Sequence, residues 1–225
     1  MIEYDQDEKK MVLKLVYYGP ALSGKTTNLL RLHDLLDQDG RGGLMVLDTS
    51  NERTIYFDLL PFFLKAPSGL KIKVKVFTVP GQVKHDAMRK AVLQRADGVA
   101  FIADSQVREN LNNATSFENL ERNLALVGMD VEKTPLVIQY NKRDLSGVSA
   151  ESEIRGVWAS TGIPVFMASA LEGRGVVETF RCLAEATYRS LDARYALEAG
   201  HGLSAASFVS QLVRCEHNSG LQESS

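Results

Sequence analysis

Residues 19–26 read Gly-Pro-Ala-Leu-Ser-Gly-Lys-Thr, a Gly-x4-Gly-Lys-Thr loop, and its flanks leave few folds open. Ahead of it, Met11 to Tyr17 is an apolar run of strand type. Behind it, Thr27 to Leu36 places Leu29, Leu30, Leu32, Leu35 and Leu36 at helical spacing. Strand, glycine loop and helix together aim backbone N–H groups and the positive end of a helix at phosphate oxygens. Gly19, Ala21, Leu22, Ser23, Gly24 and Thr27 are the candidate loop contacts. Lys25 is placed to reach the β- and γ-phosphates, and the Thr26 hydroxyl to hold Mg2+. A glycine-rich turn matching the pattern by accident is the plain alternative, and the flanking strand and helix weigh against it.

Further along, strands and helices alternate. Lys71–Phe77 alternates strictly, whereas Gly98–Asp104 and Pro135–Tyr140 are apolar runs of the buried parallel type. Helical patterns span Val83–Leu93, Ser116–Val127, Ala150–Thr161 and Gly175–Leu197, with a last strand at Pro164–Met167. Ser116 reads as the cap of its helix. The pattern predicts an α/β fold of the phosphate-loop type. Its mostly parallel, six-stranded sheet would carry helices on both faces and ligand loops at the strands' C-terminal ends.

With 225 residues the chain suits one domain, expected over 1–198, plus an extension over 199–225. A net charge of -2 gives no nucleic-acid surface. Two cysteines and four scattered histidines give neither a disulfide framework nor metal-ligand spacing. No signal-like, lipidation or membrane-spanning stretch is read, so the expected location is cytoplasmic with no direct membrane anchor. In the extension, Ala205, Phe208, Val209, Leu212 and Val213 form an apolar stripe. It either packs on its own domain or docks on a partner or membrane surface.

A second signal follows two strand ends: Asn141-Lys142-Arg143-Asp144 and Ser169-Ala170-Leu171. An Asp144 carboxylate accepts from both N1–H and the exocyclic amine of guanine, and adenine leaves it unpaired. A site of that kind rejects the wrong base by up to ~10⁴-fold. Asn141 is expected to brace the phosphate loop, the Lys142 stem to lie along the ring, and the Ala170 N–H to meet the guanine carbonyl. Alone, Asn-Lys-x-Asp also suits a polar loop; behind a correctly ordered phosphate loop it is specific.

These strings, with Tyr17-Tyr18-Gly19-Pro20, Glu52-Arg53-Thr54, Thr78-Val79-Pro80-Gly81-Gln82 and Ala103-Asp104-Ser105-Gln106, resemble Ras-superfamily small GTPases and among them the bacterial MglA-like branch. The resemblance implies a GTP-binding and GTP-hydrolysing switch in cell polarity or motility, recruited to a cell pole by partners. Its activator would be a roadblock-type dimer. It also implies roles: Thr54 on Mg2+ with Thr26, Gly81 on the γ-phosphate, Gln82 orienting the attacking water, and Arg53 as an internal arginine. Spacing alone favours a solvated loop charge for Arg53, a balance that the resemblance reverses, and Asp48 and Glu52 lie near enough in sequence to hold it away. Thr78 stands where most such proteins carry an acidic residue near the metal. Ala21 replaces a usual glycine, and its methyl is expected to slow hydrolysis. A non-hydrolysing scaffold is therefore a second reading, and a phosphate-loop ATPase or kinase a third.

Overall fold

The phosphate loop hangs from a strand whose two faces are both buried. In the computed structural model, which describes residues 3–5, 7–36, 41–48, 56–80 and 86–214, strand β2 spans Lys10–Tyr18. Leu13, Leu15 and Tyr17 point into one core layer, and Val16 and Tyr18 into the other. Such two-sided burial requires helices on both faces. The remaining elements are β1 (Glu3–Asp5), α1 (Lys25–Leu35), β3 (Met45–Asp48), β4 (Tyr56–Lys65), β5 (Lys71–Thr78), α2 (Asp86–Leu93), β6 (Gly98–Asp104) and α3 (Asn110–Leu126). They continue with β7 (Leu136–Asn141), α4 (Glu151–Trp158), β8 (Val165–Met167), α5 (Val176–Tyr195), α6 (Leu197–His201) and α7 (Ala205–Leu212).

Among the described residues the sheet has eight strands rather than six, in the order β3-β4-β5-β2-β6-β7-β8 with β1 beside β2. Strands β5, β2, β6, β7 and β8 run parallel. The β3–β4 and β4–β5 pairs are antiparallel, as is β1–β2. The three strands that the sequence pattern did not locate are β1, β3 and β4, and in β4 Pro61 interrupts the apolar run Leu59–Leu64. Pro61 is tolerated because of its orientation. Its carbonyl accepts from the Gly42 N–H at 2.7 Å, so its missing N–H faces that outer side and not the ladder with β5.

Helix α3 begins at Asn110, and Ser116 lies buried within it rather than capping it. The early turns are polar, but Asn113 is buried and pairs with Asp104 at the end of β6. Its Oδ1 accepts from the Asp104 N–H (3.0 Å) and its Nδ2 donates to the Asp104 carbonyl (2.8 Å). These two bonds anchor a turn that carries no apolar stripe. The long final helix stops at Tyr195, where Ala196 takes a left-handed conformation (φ 48°) and α6 starts.

The stripe of the C-terminal extension is α7. It buries Phe208, Val209 and Leu212 in the core layer that holds Leu60, Phe62 and Phe180. Phe208 lies 5.5 Å from the Tyr188 ring, and the Gln211 side chain accepts from the Lys65 N–H at the end of β4 (3.2 Å). Phe208→Ala is expected to cost about 3–5 kcal/mol in denaturant unfolding, as full truncation of a buried aromatic does.

Away from the loop, burial pushes the Asp97 carboxyl up to about 6, although Asp97 accepts the Lys14 N–H at 2.8 Å and lies near Arg194. A carboxyl with a raised folded pKa binds more protons when folded, so its contribution to stability falls as pH rises from about 4 to about 6. Asp97→Asn retains an acceptor for Lys14 and removes the charge. Its stability advantage over the native chain is expected to grow by about 1–2 kcal/mol between pH 4 and pH 7, discounted for partial exposure. Parallel urea titrations at the two pH values check this.

Candidate functional site

The C-terminal ends of β2, β6 and β7 and the loop after β8 converge at one edge of the sheet. The glycine loop leaves β2 at Gly19 (φ 145°), where a Cβ would overlap the carbonyl oxygen of Ile102. Leu22 is left-handed (φ 62°) and 87 % exposed, so its side chain leaves the loop's concave backbone to others. Ala21 is exposed and Ser23 buried. Gly24 is the N-cap of α1, with φ 93°. The Lys25 ammonium, buried, donates to the carbonyls of Pro20 (2.6 Å) and Gly19 (3.1 Å). A phosphate oxygen reaching the loop competes with neutral carbonyls for that charge, and charge-assisted bonds are the stronger. Thr26 is exposed and Thr27 half-buried in the first turn of α1.

Asn141, the last residue of β7, ties the two halves of the site together. Its Nδ2 donates to the Ser23 carbonyl of the loop, and its Oδ1 accepts the Ala170 N–H, both at 2.8 Å. The Ala170 N–H is thus engaged by Asn141, and a base carbonyl would have to share that donor. Ser169 Oγ donates to Asp144 Oδ1 at 2.6 Å; a base edge would meet the second carboxylate oxygen. Lys142 is left-handed (φ 67°), and its ammonium is held 2.6 Å from the buried Asp104 carboxylate. Leu171 is 65 % exposed beside them. The structure therefore gathers Gly19–Thr27, Asn141, Lys142, Asp144 and Ser169–Leu171. Arg53, Thr54, Gly81 and Gln82 lie outside the described residues, as does Glu52.

Three further side chains frame this site and were not legible as part of it. Asn28 Nδ2 donates to the Gly24 carbonyl, and Gln139 Nε2 in β7 donates to Asn28 Oδ1, both at 2.9 Å. Arg31 Nε donates to the carbonyls of Ala170 (3.3 Å) and Leu171 (3.2 Å). An asparagine on the buried face of an apolar helix, four residues past Gly24, was the available signal for the first. Arg31 reads from sequence as a solvated charge. Thr78, at the end of β5, is buried and pairs in register with Tyr17.

The sequence profile of the ADP-ribosylation factor family matches residues 2–187. The chain is 45 % identical over 172 residues to the mutual gliding-motility protein MglA of Myxococcus xanthus, covering 76 % of this chain and 88 % of that one. It is 26 % identical to Ras-related protein Rab7 of Prunus armeniaca, over 79 % of this chain and 82 % of the relative. Ras-related protein Rab-28 of Caenorhabditis elegans is 27 % identical, over 80 % and 68 % respectively. A glycine loop tied through Asn141 to the strand end that carries Asp144, on this sheet order and with these relatives, has one reading: the chain belongs to the ADP-ribosylation factor family and is an MglA-like small GTPase with a Ras-like, GTP-binding domain.

Proposed function

We propose that this protein is a molecular switch that binds and hydrolyses GTP and signals cell polarity or motility through partners that recognise its GTP form. The observation that carries the reading is the Asn141 bridge, which sets the phosphate loop and the Asp144 carboxylate in one rigid frame. The motility role is supported by the name of the Myxococcus relative. No helix among the described residues is long and apolar enough to cross a membrane; a cytoplasmic location with recruitment to a cell pole by partners is part of the proposal.

Mg2+ fits the donor set. By the resemblance, the ion would be held by phosphate oxygens with the hydroxyls of Thr26 and Thr54. It would neutralise charge on the β- and γ-phosphates. With Thr78 in place of a carboxylate, retention of the ion would be weaker and nucleotide exchange faster. For hydrolysis, Gln82 orients the water and Arg53 stabilises the transition-state charge, with Gly81 on the γ-phosphate. A roadblock-type dimer is the proposed activating partner, acting by ordering Arg53 and Gln82.

Ala21 favours a second reading, a GTP-binding scaffold that hydrolyses slowly or not at all. A methyl there intrudes on the space of the reacting groups, and a displacement of about 1 Å can cost ~10²-fold in rate without affecting ground-state binding. Nucleotide extracted from the purified protein, followed by single-turnover phosphate release, tests both readings. Bound GTP or GDP with measurable release supports the switch, and adenine nucleotide would overturn it. Ala21→Gly is expected to raise turnover and leave GTP affinity unchanged; equal rates would mean that the loop already accommodates the methyl.

A further inference from the structure

Directly before Gly19, the side chain of Tyr18 enters a buried polar cluster between α2 and α3. Its hydroxyl donates to Asn119 Oδ1 (2.6 Å) and accepts from Asn123 Nδ2 (3.1 Å). Both amides also reach Asp86 Oδ1 in the first turn of α2, at 3.1 Å from Asn119 and 2.8 Å from Asn123. The Asn123 amide, then that of Asn119 and the nearby Lys90, hold the Asp86 carboxyl below its usual range. Arg89, one turn further along α2, has no exposed surface. Its guanidinium lies 4.4 Å from the centre of the Tyr18 ring, and Nη2 donates to Ser116 Oγ at 3.3 Å. Among the described residues, its Nε and Nη1 make no hydrogen bond.

A helix–helix seam flanked by Val92, Leu93, Leu120 and Leu124 would ordinarily be filled by apolar side chains. A buried, incompletely bonded guanidinium is poor at adding stability there, and fixing one arrangement against another is the best-attested use of such a group. The elements it joins are the root of the phosphate loop and the helix that begins four residues after Gln82.

We infer that Tyr18 and Arg89 are positioning residues that clamp α2 between α3 and the root of the phosphate loop, so that nucleotide state and α2 placement are coupled through the Tyr18 side chain. The inference rests on the GTP-switch reading above. Tyr18→Phe removes only the hydroxyl, Arg89→Met removes the charge at similar volume, and Arg89→Lys keeps a cation beside the ring.

In the full-length chain, affinities for GDP and for a slowly hydrolysed GTP analogue are measured for each variant. Amide hydrogen exchange across 86–93 is followed in both nucleotide states, together with the thermal midpoint. Tyr18→Phe and Arg89→Met are expected to shift the ratio of the two affinities by about fivefold or more and to erase the exchange difference between states. Arg89→Lys should return both toward native values. An unchanged ratio with the exchange difference intact overturns the inference, even if the midpoint falls. Should Arg89→Met fail to fold, Tyr18→Phe decides alone. Absence of guanine-nucleotide binding by the native protein would overturn the switch reading and this coupling together, whereas native binding with unaltered variants removes the coupling only.

Discussion

Asp144→Asn is expected to weaken guanine-nucleotide binding by about 10³–10⁴-fold while raising affinity for xanthine nucleotides, the scale set by sites that discriminate through buried hydrogen bonds. The native carboxylate receives the Ser169 hydroxyl on Oδ1, and a base edge would meet Oδ2. An asparagine can accept from Ser169 in the same way, but its amide nitrogen then faces two guanine donors, N1–H and the amine, and no bond forms. Xanthine carries a carbonyl in place of the amine, so the amide finds an acceptor. Competitive displacement of a fluorescent guanine nucleotide by GDP and by xanthosine diphosphate measures the exchange. Undiminished GDP affinity in the mutant would place the base away from Asp144 and break the assignment of the whole 141–144 segment.

The second large effect is expected at Gly24. Its φ of 93° is one that side-chain-bearing residues rarely adopt, and a Cβ would overlap Asn141 Nδ2, the group that ties β7 to the loop. Gly24→Ala must therefore move either the loop or the bridge. The Asn28 N–H and side chain both bond the Gly24 carbonyl, so the start of α1 moves as well. The strained conformation should cost about 1–3 kcal/mol of stability. Loss of two charge-assisted phosphate bonds, at about 1.5–3 kcal/mol each, corresponds to a fall in nucleotide affinity of at least ~10²-fold. Fluorescent GDP titration alongside urea unfolding separates the two. Affinity within a few-fold of native would show that the phosphates do not rest on this loop.

How much of this was legible before the structure depended on whether a residue's role is local. The glycine loop, the buried strands at 98–104 and 136–141, and the Asn141 and Asp144 pair carry their chemistry in spacing, and the structure brings them to one sheet edge. Strand β4 was not legible because Pro61 reads as a breaker; only the neighbouring Gly42 reveals that its missing N–H points outward. The start of α3 was hidden because Asn113 earns its burial from Asp104, nine residues back and on another element. Gln139 and Arg31 act through partners more than a hundred residues away, a relation that no window along the chain contains. The catalytic assignments at Arg53 and Gln82 rest on likeness to the family and lie outside the described residues.

The Lys142–Asp104 ion pair has a consequence for the thermodynamics of nucleotide capture. The lysine stem, the Asn141 amide and the Asp144 carboxylate are each fastened by bonds within the protein: Asp104 holds the first, Ser23 and Ala170 the second, and Ser169 the third. Freezing a long side chain at the moment of binding costs about 0.5–1.5 kcal/mol. Here that entropy is surrendered during folding, before any base arrives. Capture of the base should then carry a small conformational-entropy penalty, and a chain lacking the Asp104 carboxylate would shift that penalty back onto the binding step, seen calorimetrically as a more unfavourable entropy of GDP association.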